Sequence, residues 1–173
     1  MQILISKEQI AERISELAAE ISKEYEGQPL ALVGVLRGCV PFISDLMRAL
    51  APELDVEVDF ISVGSYGNAL KSSGVVTIHK DTTSDLGGKH ILIIDDIIDT
   101  GGTLAMLKDI FATRGLSVKC GCLLSKPSAR VEQHKITDAD FIGFEIENKY
   151  VVGYGLDAAQ KYRNLPDIYT LED

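Results

Sequence analysis

ILIIDDIIDTGGTL, residues 91–104, decides how the rest of the chain is read. An aliphatic run leads into two adjacent carboxylates, Asp95 and Asp96. Asp99 follows, then Thr100-Gly101-Gly102-Thr103 and a segment with helical spacing, TLAMLKDIFATRG, over 103–115. A short continuous apolar run bounded by turn residues has the pattern of a strand buried on both faces. In sheets built from such strands, ligands bind at the carboxyl ends. The backbone N–H groups of Thr100, Gly101, Gly102 and Thr103 can converge on one point there, reinforced by the positive end of the helix dipole. That makes an anion cradle. It lacks the Gly-Lys-Ser/Thr ending of a Walker A loop and does not match GxGxxG. The acids beside it suit hydroxyl groups, or a Mg²⁺ ion travelling with a phosphate. The chemistry that satisfies loop and acids together is a phosphorylated sugar. The plainer alternative is an acidic strand end followed by a capped helix.

Outward from this unit the pattern repeats. Residues 6–25 carry Ile10, Ile14, Leu17 and Ile21 at helical spacing, with Ser6 as N-cap and Glu8 or Gln9 close behind. PLALVGVL, 29–36, reads as a buried strand that ends at Arg37-Gly38, and a helix over 41–50 starts with Pro41 in its first turn. Residues 55–65 alternate as a half-solvated strand, 67–74 is a small polar loop, and 74–81 is a further strand. The strand of the opening segment is expected over 90–94, and its helix stops at Gly115. Strands are also expected over 117–126, 138–146 and 150–156. No repeat or linker divides the 173 residues, which suit one domain with a sizeable core. Strand–helix alternation predicts an α/β fold with a mostly parallel central sheet flanked by helices.

A formal net charge of −9 argues against a nucleic-acid or anionic-membrane surface, both of which need a basic footprint. Three cysteines, Cys39, Cys120 and Cys122, make no disulfide framework and point to a reducing compartment. The opening residues MQILISKEQIAERI lack the basic and apolar regions of a secretory leader, so the expected location is cytoplasmic.

The run of two apolar residues, two acids, two aliphatics, Asp-Thr-Gly, any residue and Thr resembles the phosphoribosyl pyrophosphate signature of type I phosphoribosyltransferases. The blocks 32–46, 62–74, 123–131 and 144–171 extend the likeness over nearly the whole chain. They are similar to those of hypoxanthine-guanine phosphoribosyltransferases. The last block, FEIENKYVVGYGLDAAQKYRNLPDIYTL, is the most specific of them. The resemblance implies the type I phosphoribosyltransferase fold, with a small hood formed mainly by about 145–173 and the N-terminus. It implies transfer of a phosphoribosyl group to a 6-oxopurine with Mg²⁺ as cofactor, in a homodimer or homotetramer with apolar surface on helix 41–50.

Roles are implied residue by residue. Asp99 matches the general base for the purine N7 proton. Asp95 and Asp96 match the acids that bind the ribose hydroxyls and meet Mg²⁺; many members carry Glu at the first, so the shorter Asp95 is expected to reach less far. Leu36, Arg37 and Gly38 match the pyrophosphate loop, whose peptide bond the family often holds cis. Arg163 matches a basic residue reaching pyrophosphate, and Asp157 a Mg²⁺-linked acid acting partly through water. Lys126 matches the donor to purine O6, Tyr150 the ring that stacks on the base, and Val151 and Leu156 its pocket. Ser65 and Tyr66 open a segment similar to the family's mobile lid. Such a lid keeps water from an oxocarbenium-like transition state.

The remaining polar residues read as structural. Cys120 and Cys122 share one strand face without the further ligands of a metal site. Cys39 lies beside the pyrophosphate loop, where exposure would make it oxidation-sensitive. His79, His90 and His134 stand singly. Two rivals remain: a xanthine-preferring transferase, which differs at a position read by backbone groups, and a non-catalytic RNA-binding regulator of the same fold, which the acidic balance disfavours.

Overall fold

A computed structural model describes residues 1–65, 76–130 and 138–171. Six strands form the central sheet in the order β4-β3-β2-β5-β6-β7. They are β2 (Leu30–Leu36), β3 (Val56–Ser65), β4 (Val76–Lys80), β5 (His90–Ile98), β6 (Ser117–Ser125) and β7 (Phe141–Glu145). All neighbours run parallel except β4, which is antiparallel to β3 at one edge. Helices α1 (Lys7–Glu24), α2 (Val40–Ala49) and α3 (Gly102–Phe111) cover the faces.

The buried strands explain the layering. Leu30 and Leu32 of β2 and Leu92 and Ile94 of β5 join one core with Ile10, Ile14, Leu17 and Ile21 of α1 and Phe42, Ile43 and Leu46 of α2. Their alternates Ala31, Val33 and Val35, with Ile91 and Ile93, join a second core under Leu104, Leu107 and Phe111 of α3. Side chains alternate across a strand, so an apolar run of this kind serves both faces at once.

The termini meet in a second sheet. β1 (Gln2–Ile5), β9 (Ile168–Thr170) and β8 (Val151–Val152) pair in the order β1-β9-β8, all antiparallel. Ser6 caps α1 through a reciprocal capping box with Gln9, and the Lys7 N–H donates to Asp167 Oδ1 at 2.7 Å, tying the helix start to the C-terminal segment.

Several boundaries differ from the sequence expectation. β5 runs to Ile98, because β6 keeps pairing with it through Asp95, Ile97 and Ile98. Asp95 and Asp96 therefore lie inside the strand, not beyond its end. α2 starts one residue early, at Val40. α3 ends at Phe111, and Gly115 serves a close approach instead of a cap: a Cβ there would meet the Lys89 carbonyl and Ile91. The expected strand 150–156 shrinks to two residues, since Gly153, Tyr154 and Gly155 all take positive φ. β1 and β9 carry no expectation from the sequence; each is too short to signal a strand and exists by pairing with the other end of the chain.

Candidate active site

β2 leads through α2 to β3 on one side of the sheet, while β5 leads through α3 to β6 on the other. The crevice between the carboxyl ends of β2 and β5 is the topological switch point of the sheet. The segment 36–38 and the segment 95–103 meet there. A cavity of about 260 Å³ opens at this point, lined by Leu36, Asp95, Asp96, Asp99, Thr100, Gly101 and Thr103 among others.

Each wall has a local cause. Gly101 caps α3 in the left-handed region at φ 90°, open to glycine at little cost, so the chain turns sharply and aims the first N–H groups of α3 into the cavity. The Gly102 N–H also lies 3.5 Å from Thr100 Oγ1. Leu36-Arg37 is a cis peptide bond. Gly38 is pressed against the Asp96 carboxylate, leaving no room for a Cβ. Gly155 is likewise pressed against the Gly38 carbonyl and Pro41. The 153–157 turn thus sits directly on the 36–38 loop.

Asp95 is buried and Asp96 partly so. The Asp96 N–H donates to Asp95 Oδ1 at 2.9 Å and the Ile97 N–H to Asp96 Oδ1 at 2.7 Å. Burial, then the charge of Asp96, pushes the Asp95 carboxyl well above the ordinary carboxylate range. Burial also raises Asp96, against the opposing pull of its hydrogen bonds and of Arg163.

Across the crevice, Arg163 Nη2 lies 2.8 Å from Asp157 Oδ1, and its Nη1 donates to the Gly155 carbonyl at 2.7 Å. Asp157 Oδ2 accepts from the Gln160 N–H at 2.8 Å. The Gln160 side-chain oxygen accepts from Arg163 at 3.2 Å and from Arg37 at 3.3 Å. Arg37, Asp157 and Arg163 thereby share one polar cluster with Gln160, a residue the sequence reading missed.

On the β6 side, Lys126 is buried yet holds its Nζ 3.7 Å from Asp99 Oδ2. Arg130 and Asp138, also missed, brace this corner; only their inclusion in or near the LLSKPSARV block marked them. Tyr150 is 58% exposed, open enough to receive a flat ring, and its hydroxyl donates to the Asp157 carbonyl at 3.3 Å. Val151 and Leu156 are buried in the core shared with α1 and α2 rather than in the cavity wall. Ser65 ends β3, paired with Val76; Tyr66 and the rest of the expected lid lie outside the described residues. Cys39 is wholly buried, and burial followed by Asp95 and Asp96 drives its thiol pKa far up, which removes it as a reactive thiol. Cys120 and Cys122 both point into the α3-side core, as expected.

Asp95, Asp96 and Asp157 offer the hard oxygen donors Mg²⁺ takes. Both oxygens of Asp157 are already engaged, which suits contact through water. Among the described residues no three His, Cys, Asp or Glu side chains gather into a closed cage.

A crevice at the switch point with two acids and a glycine-capped anion cradle defines the phosphoribosyltransferase class, and the family model of the phosphoribosyl transferase domain matches residues 3–159. The chain is 48% identical over 173 residues to the hypoxanthine-guanine phosphoribosyltransferase of Bacillus subtilis, covering 99% of this chain and 93% of the relative. It superimposes with a TM-score of 0.92 on the crystal structure of a hypoxanthine phosphoribosyltransferase from Staphylococcus aureus, at 38% identity over 99% of this chain and 91% of the other. A hypoxanthine-guanine phosphoribosyltransferase from Bacillus anthracis, solved with a HEPES molecule in its active site, gives a TM-score of 0.91 at 40% identity over 99% of both chains. The chain belongs to the hypoxanthine-guanine phosphoribosyltransferase family.

Proposed function

We propose that this chain is a purine salvage enzyme, transferring the phosphoribosyl group of phosphoribosyl pyrophosphate to N9 of hypoxanthine or guanine. The products are IMP or GMP and pyrophosphate. The observation that carries the reading is the 3.7 Å approach of Lys126 Nζ to the Asp99 carboxylate. O6 and N7 are neighbours on one edge of a 6-oxopurine. One accepts from an ammonium, and the other, when protonated, donates to a carboxylate. Adenine places an amino donor where O6 would be, facing the Lys126 donor, and is rejected.

In the reaction, the bond from ribose C1′ to the pyrophosphate oxygen breaks and the bond from N9 to C1′ forms. The N7 proton passes to Asp99. Thr100, Gly101, Gly102 and Thr103 hold the 5′-phosphate at the start of α3, and Asp95 and Asp96 orient the ribose hydroxyls. Leu36, Arg37, Gly38 and Arg163 receive the leaving pyrophosphate, where backbone N–H groups and guanidinium meet the charge that develops. Mg²⁺ supplies charge neutralisation on the phosphates, and Asp157, Asp95 and Asp96 are the residues that would hold it. Tyr150 stacks on the purine, and the β1-β9-β8 sheet serves as the hood. Ser65 and Tyr66 begin the lid.

The three cysteines are free and buried, as suits a reducing compartment, and we place the enzyme in the cytoplasm. Val40 and Met47 are the large exposed apolar residues of α2, the face we assign to a homodimer or homotetramer.

A spectrophotometric assay with phosphoribosyl pyrophosphate, Mg²⁺ and each of hypoxanthine, guanine, xanthine and adenine tests this reading. Turnover of hypoxanthine and guanine, none of adenine, and loss on chelation are expected. Silence with the first two overturns it.

A further inference from the structure

Asp99 sits on the loop after β5 and Lys126 on the turn after β6; the ladder ends at Ile98–Ser125 and the Lys126 N–H donates to the Ile98 carbonyl at 3.0 Å, but neither contact holds the Asp99 end of the pair. One side chain does. Arg130, 11% exposed, follows the 3₁₀ turn Pro127–Ala129 and reaches back under both loops. Its Nη1 donates to the carbonyls of Ile98 at 2.7 Å, Asp99 at 2.6 Å and Lys126 at 3.0 Å. Its Nη2 donates to Ser125 Oγ at 2.7 Å and Asp138 Oδ1 at 3.1 Å. Ser125 Oγ in turn donates to the same Asp138 oxygen at 3.0 Å, which closes a polar triangle on the guanidinium.

We propose that Arg130 is a positioning residue that clasps the Asp99 loop to the Lys126 turn and so sets the spacing between the N7 acceptor and the O6 donor. The inference rests on the function proposed above and assigns a residue beyond the ligand contacts. A planar guanidinium satisfies several carbonyls and an acid in one fixed fork; a lysine ammonium on a flexible stem does not. Arg130 contacts backbone, not substrate, yet three of its acceptors belong to the residues carrying the two polar purine contacts or to the one beside them. Misplacement by about 1 Å at such a site costs on the order of 100-fold in rate.

The test is a double-mutant cycle on the full chain. Arg130→Lys is expected to lower kcat with hypoxanthine at least about tenfold, with KM for phosphoribosyl pyrophosphate within about twofold of wild type. In an Asp99→Asn background the same change should cost less than about threefold, because the acceptor it positions is gone. A thermal melt checks that each variant folds. An equal fold-loss in both backgrounds, or no loss in either, overturns the clasp. If Arg130→Lys does not fold, Asp138→Asn is measured in the same two backgrounds and read in the same way. An inactive wild-type chain would sink the functional reading and the clasp with it; an active one with additive losses sinks the clasp alone.

Discussion

Asp99 and Lys126, in the function proposed above, take their roles from their surroundings. Each is unremarkable as a letter, and each becomes specific when an acceptor and a donor stand 3.7 Å apart at the rim of an anion cradle. Asp99→Asn keeps shape and removes the proton acceptor. Its kcat should fall about 100-fold, the scale of general base catalysis, with little change in KM for the sugar donor; steady-state kinetics decides, and an unchanged kcat removes Asp99 as base. Asp95 carries the opposite balance. Its folded pKa lies above the ordinary 3.8, so the folded state holds the proton more tightly than the unfolded chain does. The charge therefore costs stability above the folded pKa and costs nothing below 3.8. Asp95→Asn should raise the melting temperature at pH 7 by about 3 °C, on the order of 1 kcal/mol, and weaken binding of the sugar donor. The thermal gain should vanish in melts near pH 3.5, below the usual carboxylate range; a gain that persists there would mean the charge is not its source.

At the scale of elements, two contacts hold neighbouring segments together. Asp59 on β3 accepts from the N–H groups of Phe60, Thr83 and Ser84 at 2.7–2.8 Å, with Lys80 of β4 3.8 Å away. Burial alone would raise this carboxyl, but the backbone donors outweigh it and hold the pKa at about 2. For an acid with a lowered pKa, the stabilisation is full above 3.8 and is lost as pH falls through about 2. Asp59→Asn should therefore be less stable than wild type at pH 7 and converge with it toward pH 2, a trend acid titration of the melting temperature can follow. The second contact is the seat of the 153–157 turn on the 36–38 loop. Gly155 has φ 98° and no space for a Cβ against the Gly38 carbonyl. Gly155→Ala should lift the turn, shift Asp157 and Arg163, and raise KM for pyrophosphate in the reverse reaction at least about tenfold. An unchanged KM would mean that the turn is not coupled to the pyrophosphate loop.

The whole molecule is organised by its switch point. Two loops far apart in sequence, 36–38 and 95–103, become opposite lips of one crevice because β2 and β5 are neighbours whose connections depart in opposite directions. Ligand binding there should stabilise the entire fold. At 100 times its dissociation constant, phosphoribosyl pyrophosphate with Mg²⁺ should add about 2.7 kcal/mol, roughly 5–10 °C in melting temperature for a chain of this size. Scanning calorimetry with and without chelator reads the effect. A shift that ignores chelation would argue against a shared phosphate–metal site.

Much of this is legible in the sequence alone. The aliphatic runs of β2 and β5 have the pattern of strands buried on both faces, and the glycine turn after Asp99 is one that can present N–H groups, because both follow from chain geometry within a few residues. The carboxylates and the cradle were therefore visible as chemistry in the letters 95–103, whereas the pyrophosphate role expected of 36–38 came only with the family resemblance. What the letters could not carry is anything set by contact between distant segments. The extension of β5 through Asp95 and Asp96 depends on continued pairing with β6. The pairing of β1 with β9 joins residues more than 160 positions apart. The burial of Val151 and Leu156 in the main core, the Gln160 bridge between Arg37 and Arg163, and the grip of Arg130 on three carbonyls all join segments that the chain brings together only in the folded state. Local sequence determined which groups are available; only the tertiary structure decided which of them face one another, because hydrogen bonds and desolvation act over a few ångströms of space and take no account of separation along the chain.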